Sequence, residues 1–249
     1  DWSSDVCSSD LPLSGHRFEE DGEIHIWHID LDHGPGLAQP LFKTLSSDEQ
    51  QKANNFRFSK DRSSYVAARG ALRKILGSYL NVLPNQIRFS YNRYGKPFLN
   101  VEDNLLRFNV SHSSGIALVA VARGQEVGVD LEFMDRNFNI LQTASTVFSP
   151  TQCSELERLP ARLRTFAFFR AWTRMEAYLK AVGMGFASEQ TRAAISELIG
   201  QSTIIYRANG FQKSRKCSLV SLATENNYVS ALATDGAIGT IRTYRLFDN

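Results

Sequence analysis

The sequence has few cysteines, little net charge and no long apolar run, and each of these shortages excludes a class of protein. Its three cysteines, Cys7, Cys153 and Cys217, are widely spaced and form no CxxC pair. This argues against a disulfide scaffold or a zinc site and favours a reducing, cytoplasmic setting. A net charge of +2 over 249 residues is too small to indicate nucleic-acid binding. Because no run of about 18 apolar residues occurs, we expect no membrane-spanning segment.

Several common site motifs are also missing. The chain contains no Walker A phosphate loop, no glycine fingerprint of a dinucleotide-binding fold, no HExxH zinc motif and no GxSxG nucleophile elbow. His25 and His28 would lie on opposite faces of a strand, so we do not predict that they bind a metal together.

The first eleven residues, DWSSDVCSSDL, do not resemble the start of a folded domain. They begin without methionine and have neither the charged nor the apolar region of a signal peptide. They look like a translated cloning adapter, so we treat residues 1–11 as a non-native leader. A hydrophobic content of 43% is enough for a packed core.

Apolar alternation, helical spacing and turn residues predict an α+β protein. The predicted order is a strand, two helices, several strands, a long helix and a final group of strands, at residues 22–31, 46–57, 60–80, 87–91, 108–110, 116–122, 127–133, 163–182, 202–207, 218–223, 228–233 and 240–246. Two stretches of similar make-up meet near residues 124–129. We therefore predict two similar α+β halves, 12–125 and 126–249, as in an internal duplication.

Two acidic residues stand two apart on the predicted strand at 127–133. Side chains two apart on a strand share a face, so Asp130 and Glu132 would place two carboxylates side by side. Adjacent carboxylates repel each other unless a cation lies between them, and Mg²⁺ prefers oxygen ligands of this kind. On these residues alone, a polar face of an exposed strand is the simpler interpretation.

Two further elements carry polar residues that suit phosphate groups. Glu176 and Lys180 are four apart on the long predicted helix, which by itself predicts an ordinary surface ion pair. Ser111 and His112 come after a predicted strand and before a turn, where free backbone N–H groups can bind an anion.

Basic side chains at two places could also contact phosphates. The turn YGKP would hold Lys96 out from the surface. A cluster of lysines and arginines at residues 52–74, which includes Arg69, suits either phosphates or a solvated helix face.

The order and spacing of these elements resemble one family, the 4'-phosphopantetheinyl transferases of the type that activates surfactin synthetase. The resemblance rests on GKP at 95–97, FNVSH at 108–112, GVDLE at 128–132, and WTRMEAYLK at 172–180 followed by GMG at 183–185. It spans about residues 45 to 190.

The resemblance implies a fold of two similar halves with coenzyme A bound in the cleft between them. It implies that Mg²⁺ is held against the pyrophosphate by Asp130, Glu132 and Glu176. The remaining coenzyme contacts that it implies are the 3'-phosphate with Arg69 and His112, the adenosine with Lys96, and the other phosphates with Ser111 and Lys180.

The implied activity transfers 4'-phosphopantetheine from coenzyme A to a serine of an apo acyl or peptidyl carrier protein and releases 3',5'-adenosine bisphosphate. Glu176 would act as the base, directly or through a water molecule, and Lys180 would stabilise the developing charge. The length favours a monomer over the short trimeric synthases of the family. The carrier, from fatty-acid, polyketide or nonribosomal peptide synthesis, should be acidic near its serine.

One departure from the family pattern leaves an alternative open. Met175 stands where lysine usually precedes the helix glutamate, which would remove a cation from beside the site. A catalytically weakened relative that binds coenzyme A or a carrier protein is therefore the main alternative. A magnesium-dependent phosphohydrolase or nuclease would use the same carboxylates, but it leaves the GKP turn and the Ser-His pair without a role.

Overall fold

Two four-stranded sheets form the middle of the protein. The computed structural model describes residues 16–32, 38–100, 105–135, 137–183, 203–206, 215–225 and 227–246. The first sheet has the order β10-β1-β5-β4 and the second the order β6-β9-β8-β7, while β2 and β3 form a separate pair. The strands are β1 (Ile24–Asp30), β2 (Phe89–Tyr91), β3 (Pro97–Leu99), β4 (Leu106–Ser113), β5 (Ile116–Arg123), β6 (Val127–Phe133), β7 (Thr203–Tyr206), β8 (Arg215–Leu222), β9 (Tyr228–Thr234) and β10 (Ile241–Leu246).

Helices cover the outer face of each sheet. They are α1 (Ala38–Lys43), α2 (Ser47–Asn54), α3 (Ser59–Leu80), α4 (Ile140–Val147), α5 (Pro150–Arg158) and α6 (Ala161–Ala181). At the start of α2 the backbone N–H of Ser46 donates to the Glu49 carboxylate at 3.2 Å, as the spacing of these two residues predicts. The described helices and sheets confirm the expected mixture of α and β structure.

Strand alternation separates the interior into layers. On β5, Val119 and Val121 pack with α3, whereas Leu118 and Ala120 pack against the second sheet. The other face of the second sheet packs against α6, and the residues that form this core include Met175, Tyr178, Leu219 and Val229. The layer order is therefore helices, first sheet, second sheet, helices.

The strand β10 departs from the predicted division of the chain at residue 125. It follows all four strands of the second sheet, yet it pairs in parallel with β1 of the first sheet, from Ile24 opposite Ile241 to Ile29 opposite Leu246. The buried Glu23, just before β1, reinforces this pairing, because its carboxylate accepts a hydrogen bond from Arg242 of β10. A pattern of local alternation predicts a strand here but cannot predict its partner.

Most predicted elements are confirmed to within a few residues. The strand predicted at 127–133 matches β6, and the helix predicted at 163–182 corresponds to α6. The strand predicted at 108–110 is longer, since β4 runs from Leu106 to Ser113. The proposed leader at 1–11 lies outside the described residues. Cys153 and Cys217 are free thiols, and none of the described helices is long and apolar enough to cross a bilayer.

Candidate active site

The candidate site lies where β6 faces α6. On β6, Val127, Val129 and Leu131 point toward the first sheet, so Gly128, Asp130 and Glu132 point toward the helix. A Cβ atom on Gly128 would lie 2.1 Å from the carbonyl oxygen of Ala177. The glycine therefore allows the backbone of α6 to lie directly on the strand, which brings the helix side chains to the two carboxylates.

Asp130 is the most deeply buried of the acidic residues at this contact, at 3% exposure. Its Oδ1 accepts hydrogen bonds from Lys180 Nζ at 2.6 Å and from Ser111 Oγ at 2.9 Å. Its Oδ2 is buried with no hydrogen-bond partner among the described residues. Burial raises the pKa of Asp130, although Lys180 and Ser111 oppose the shift. One oxygen is thus tied to the protein and the other is free to bind a ligand.

Glu132 is held from two sides by neutral donors. Its Oε2 accepts from Ser113 Oγ at 3.1 Å, and its Oε1 accepts from Trp172 Nε1 at 3.3 Å. Burial and the negative charge of Asp130 both raise the pKa of Glu132. The carboxylate is therefore fixed in direction but only weakly compensated in charge.

Glu176 completes the acidic group from the helix side. Its Oε1 is buried without a hydrogen-bond partner among the described residues. Burial and the neighbouring charges of Asp130 and Glu132 raise the pKa of Glu176 to about 7, although Lys180 partly opposes them. The ion pair of Lys180 is with Asp130, so the interpretation of Glu176 and Lys180 as a plain surface pair is wrong.

The three carboxylates suit a hard divalent cation. The described residues contain no ready-made cluster of three acidic, histidine or cysteine side chains around a single point. Even so, Asp130 Oδ2 and Glu176 Oε1 are buried acceptors without partners, and unpartnered buried carboxylate oxygens are costly unless a cation binds them. The chemistry of this donor set fits Mg²⁺, which takes one or two carboxylates together with phosphate oxygens and water.

The raised pKa of Glu176 predicts a pH-dependent stability in metal-free protein. Between the ordinary value of 4.5 and about 7, folded protein keeps a proton that unfolded protein has lost. The free energy of unfolding should therefore fall by about 2 kcal/mol as the pH rises through this window. Urea unfolding in EDTA at pH 5 and pH 8 measures the fall, which should be smaller in Glu176→Gln. Equal falls in both proteins would contradict the shift.

Lys96 is directed inward rather than held out from the surface, which corrects the prediction from the YGKP turn. Its Nζ donates to Glu126 Oε2 at 2.8 Å and to the carbonyl oxygens of Val127 and Ala181 at 3.3 Å each. The lysine thus links the turn before β3 to the start of β6 and the end of α6. It also lines a cavity of about 470 Å³, together with residues that include Asn92, Pro97, Arg107, Gly183 and Asp235.

Arg69 and His112 lie on different elements, α3 and β4. Arg69 forms an ion pair with Glu49 and packs on the Phe89 ring. His112 lies within β4, opposite Ala117 of β5, and its side chain is exposed. The prediction that His112 follows the strand is therefore wrong, because pairing with β5 extends β4 by three residues beyond Val110. The adjacent Ser111 does reach the carboxylates.

Met175 lies outside the carboxylate group. It is fully buried in the apolar core between α6 and the second sheet, so the expectation that its presence removes a cation from beside the site is wrong. Sequence reasoning missed Ser113 and Trp172 as partners of Glu132. A signal for Ser113 existed, since Ser111 and Ser113 are two apart and share a face of one strand.

Comparison with known proteins assigns the chain to a family. The 4'-phosphopantetheinyl transferase superfamily matches residues 126–233, and the N-terminal part of a 4'-phosphopantetheinyl transferase matches residues 38–124. The 4'-phosphopantetheinyl transferase HetI of Nostoc sp. is 39% identical, over 86% of this chain and 88% of that protein.

Two more distant relatives carry related descriptions. The 4'-phosphopantetheinyl transferase of Bacillus subtilis is 24% identical, over 66% of this chain and 72% of its own. The human L-aminoadipate-semialdehyde dehydrogenase-phosphopantetheinyl transferase is 26% identical, over 64% and 55%. The chain belongs to the 4'-phosphopantetheinyl transferase superfamily, and it is therefore a transferase enzyme.

Proposed function

We propose that this enzyme transfers 4'-phosphopantetheine from coenzyme A to a serine of an apo acyl or peptidyl carrier protein. The observation that supports this most directly is the group formed by Asp130, Glu132, Glu176 and Lys180 at the contact of β6 with α6. Phosphoryl transfer mainly requires positioning and charge stabilisation, and a lysine beside three carboxylates can supply both once a divalent cation is present.

We propose the surfactin synthetase-activating type, built as two similar halves, 12–125 and 126–249, in a monomer. The arrangement of the elements around residue 125 supports the two-halved architecture. Each side of this residue contributes one long helix and the strands of one four-stranded sheet, except that β10 comes from the second side and joins the first sheet. Coenzyme A would bind in the cleft between the halves.

The coenzyme would contact residues from both halves. Ser111 and Lys180 lie within hydrogen-bond distance of each other, at 3.0 Å, and would bind the phosphates on either side of the bond that breaks. Lys96 would serve the adenosine portion as part of the cavity wall, since its ammonium already bonds protein acceptors. Arg69 and His112 would bind the 3'-phosphate.

Asp130, Glu132 and Glu176 would hold Mg²⁺, which when bound supplies charge neutralisation for the diphosphate and its transition state. Glu176 would take the proton of the carrier serine, directly or through a water molecule. Lys180 would stabilise charge on the leaving phosphate.

The proposed reaction is a single displacement at phosphorus. The serine oxygen forms a bond to the β-phosphorus of coenzyme A, and the bond from that phosphorus to the bridging oxygen breaks. The bridging oxygen leaves with the electron pair as part of 3',5'-adenosine bisphosphate, and the serine proton passes to Glu176. The product is a phosphodiester between the serine and pantetheine.

Mass measurement of a carrier protein tests the proposal. The enzyme is incubated with coenzyme A, Mg²⁺ and an apo carrier protein, with a carrier in which the target serine is replaced by alanine as control. Addition of one phosphopantetheine to the first carrier alone is expected. An unmodified carrier together with tight coenzyme binding would instead support the binding relative, and water-cleaved coenzyme would support a hydrolase.

Substrate comparison tests the role of Arg69. If its guanidinium contacts the 3'-phosphate, Arg69→Ala should raise KM for coenzyme A by about tenfold, and for dephospho-coenzyme A much less, because a charge-assisted hydrogen bond is worth about 1.5–3 kcal/mol. The ratio between the two substrates is the useful quantity, since loss of the Glu49 ion pair alone would affect both equally. If the ratio of the KM values for the two substrates is unchanged, Arg69 has only a structural role.

A further inference from the structure

The backbone N–H groups along the outward edge of β6 form hydrogen bonds with side chains of β4. Strand β6 is at the edge of its sheet, and the backbone N–H groups at such an edge need partners when they are buried. The N–H groups of Val129, Leu131 and Phe133 donate to Asn109 Oδ1 at 3.0 Å, Ser111 Oγ at 3.2 Å and Ser113 Oγ at 3.0 Å, respectively. Each acceptor precedes its donor by 20 residues, so the two strands run parallel.

We call these three hydrogen bonds, from Val129, Leu131 and Phe133 to Asn109, Ser111 and Ser113, the β4–β6 ladder. The two serines of this ladder also contact the carboxylates. A serine hydroxyl has one proton to donate and two lone pairs to accept with. Ser111 donates to Asp130 while it accepts from Leu131, and Ser113 donates to Glu132 while it accepts from Phe133. Asn109 accepts from Val129 in the same way, but it has no hydrogen bond to any carboxylate among the described residues.

Ser113 lies directly before a turn that hydrogen bonds hold in place. The residues that follow it, Ser114 and Gly115, both have positive φ, at 45° and 88°. The Ser114 carbonyl oxygen accepts from the Tyr228 hydroxyl of β9 at 2.6 Å, and the Gly115 carbonyl oxygen accepts from the backbone N–H of Leu31 at 2.7 Å. Because both sheets hold this turn, little freedom remains to be lost when the hydroxyl of Ser113 meets Glu132.

We propose that Ser113 is a positioning residue for the transfer reaction. From the first sheet it fixes the direction of a carboxylate on the second sheet, so Glu132 faces Asp130 and Glu176 before Mg²⁺ arrives. Trp172 does the same from α6 through the other oxygen of Glu132. This inference rests on the proposed function, because it assigns Ser113 a task in the same site.

The ladder provides a matched control for a purely structural role. Ser113→Ala removes one bond to a β6 N–H group and one bond to a carboxylate. Asn109→Ala removes only a bond to a β6 N–H group. Ser113→Thr keeps the hydroxyl and should retain both bonds. Loss of fold stability alone would affect the two alanine variants alike.

Two measurements test the proposal: the Mg²⁺ concentration for half-maximal transfer, and the rise in melting temperature on addition of Mg²⁺ alone. Groups that orient a metal ligand typically change metal affinity by about 10–100-fold. We expect Ser113→Ala to raise the half-maximal concentration about tenfold and to reduce the melting-temperature rise. Ser113→Thr should behave like the unmodified enzyme, and Asn109→Ala should lower the melting temperature without moving the Mg²⁺ dependence.

Other outcomes overturn the inference. Unchanged Mg²⁺ dependence in Ser113→Ala, or equal shifts in Asn109→Ala, would leave Ser113 with a structural role only. If Ser113→Ala does not fold, Ser113→Cys keeps the volume with a much weaker donor and is judged by the same criteria. Failure of the unmodified enzyme to modify a carrier would count against the proposed function instead, and the melting-temperature measurement would still decide the role of Ser113.

Discussion

Replacement of Asp130 by asparagine should reduce the transfer rate about a thousandfold or more while the fold is retained. Asparagine has nearly the same shape, but it removes the negative charge that holds Lys180 at 2.6 Å and replaces one carboxylate oxygen, of which Oδ2 has no partner among the described residues. Groups aimed at charge in a transition state are typically worth 10²- to 10³-fold in rate, and loss of a metal ligand adds to this. Asp130→Ala should be similarly inactive.

The measurement is single-turnover modification of a carrier protein at saturating Mg²⁺, together with a melting curve. Glu225→Gln is the control, because Glu225 is an exposed carboxylate with its own arginine partner, Arg245, and its loss should leave the rate unchanged. A fully active Asp130→Asn enzyme would show that the metal assignment is wrong. A variant that melts far below the unmodified enzyme would require the rate to be measured at lower temperature.

Gly128→Ala should be the most damaging single-methyl change in the described part of the second sheet and α6. The added Cβ would meet backbone atoms at 2.1 Å from Ala177 O and 2.3 Å from Ala181 N, and neither can rotate away as a side chain would. The helix must therefore move off the strand, which opens the core on both sides. We expect the free energy of unfolding to fall by at least about 3 kcal/mol, near the upper end for overpacking.

Gly124→Ala is the matched control for this change. Its added Cβ meets nothing within 4 Å, although its φ of 73° is strained for alanine, so a cost of only about 1 kcal/mol is expected. Chemical denaturation of both variants gives the comparison. Similar losses would indicate that backbone conformation, rather than close approach of α6, explains the glycine.

Local pattern predicted the elements well because their causes are local. The alternation of Val127, Val129 and Leu131 depends on one buried face, and β6 has the predicted bounds. The two carboxylates on the opposite face were therefore placed correctly on one side of the strand. Their burial was not predictable from the strand, since it depends on α6, which lies some 40 residues later in the chain.

The incorrect predictions concern side chains whose partners are distant in sequence. Lys96 bonds the carbonyl oxygen of Ala181, and Met175 packs into a core shared with β8 and β9. No spacing rule reports such contacts, because they depend on which elements pack together in the folded chain. Helical periodicity placed Glu176 and Lys180 on one face, but only the tertiary fold directs Lys180 to Asp130.

The parallel pairing of β10 with β1 has a consequence for synthesis of the protein. During translation the first sheet is exposed with one strand missing until residues 241–246 have left the ribosome exit tunnel. The nascent chain therefore offers the edge of β1 to other chains while the residues between β1 and β10 are synthesised, and an exposed edge of this kind can nucleate aggregation. The sheet that carries Ser111 and Ser113 is therefore completed only after residues 241–246 have been synthesised.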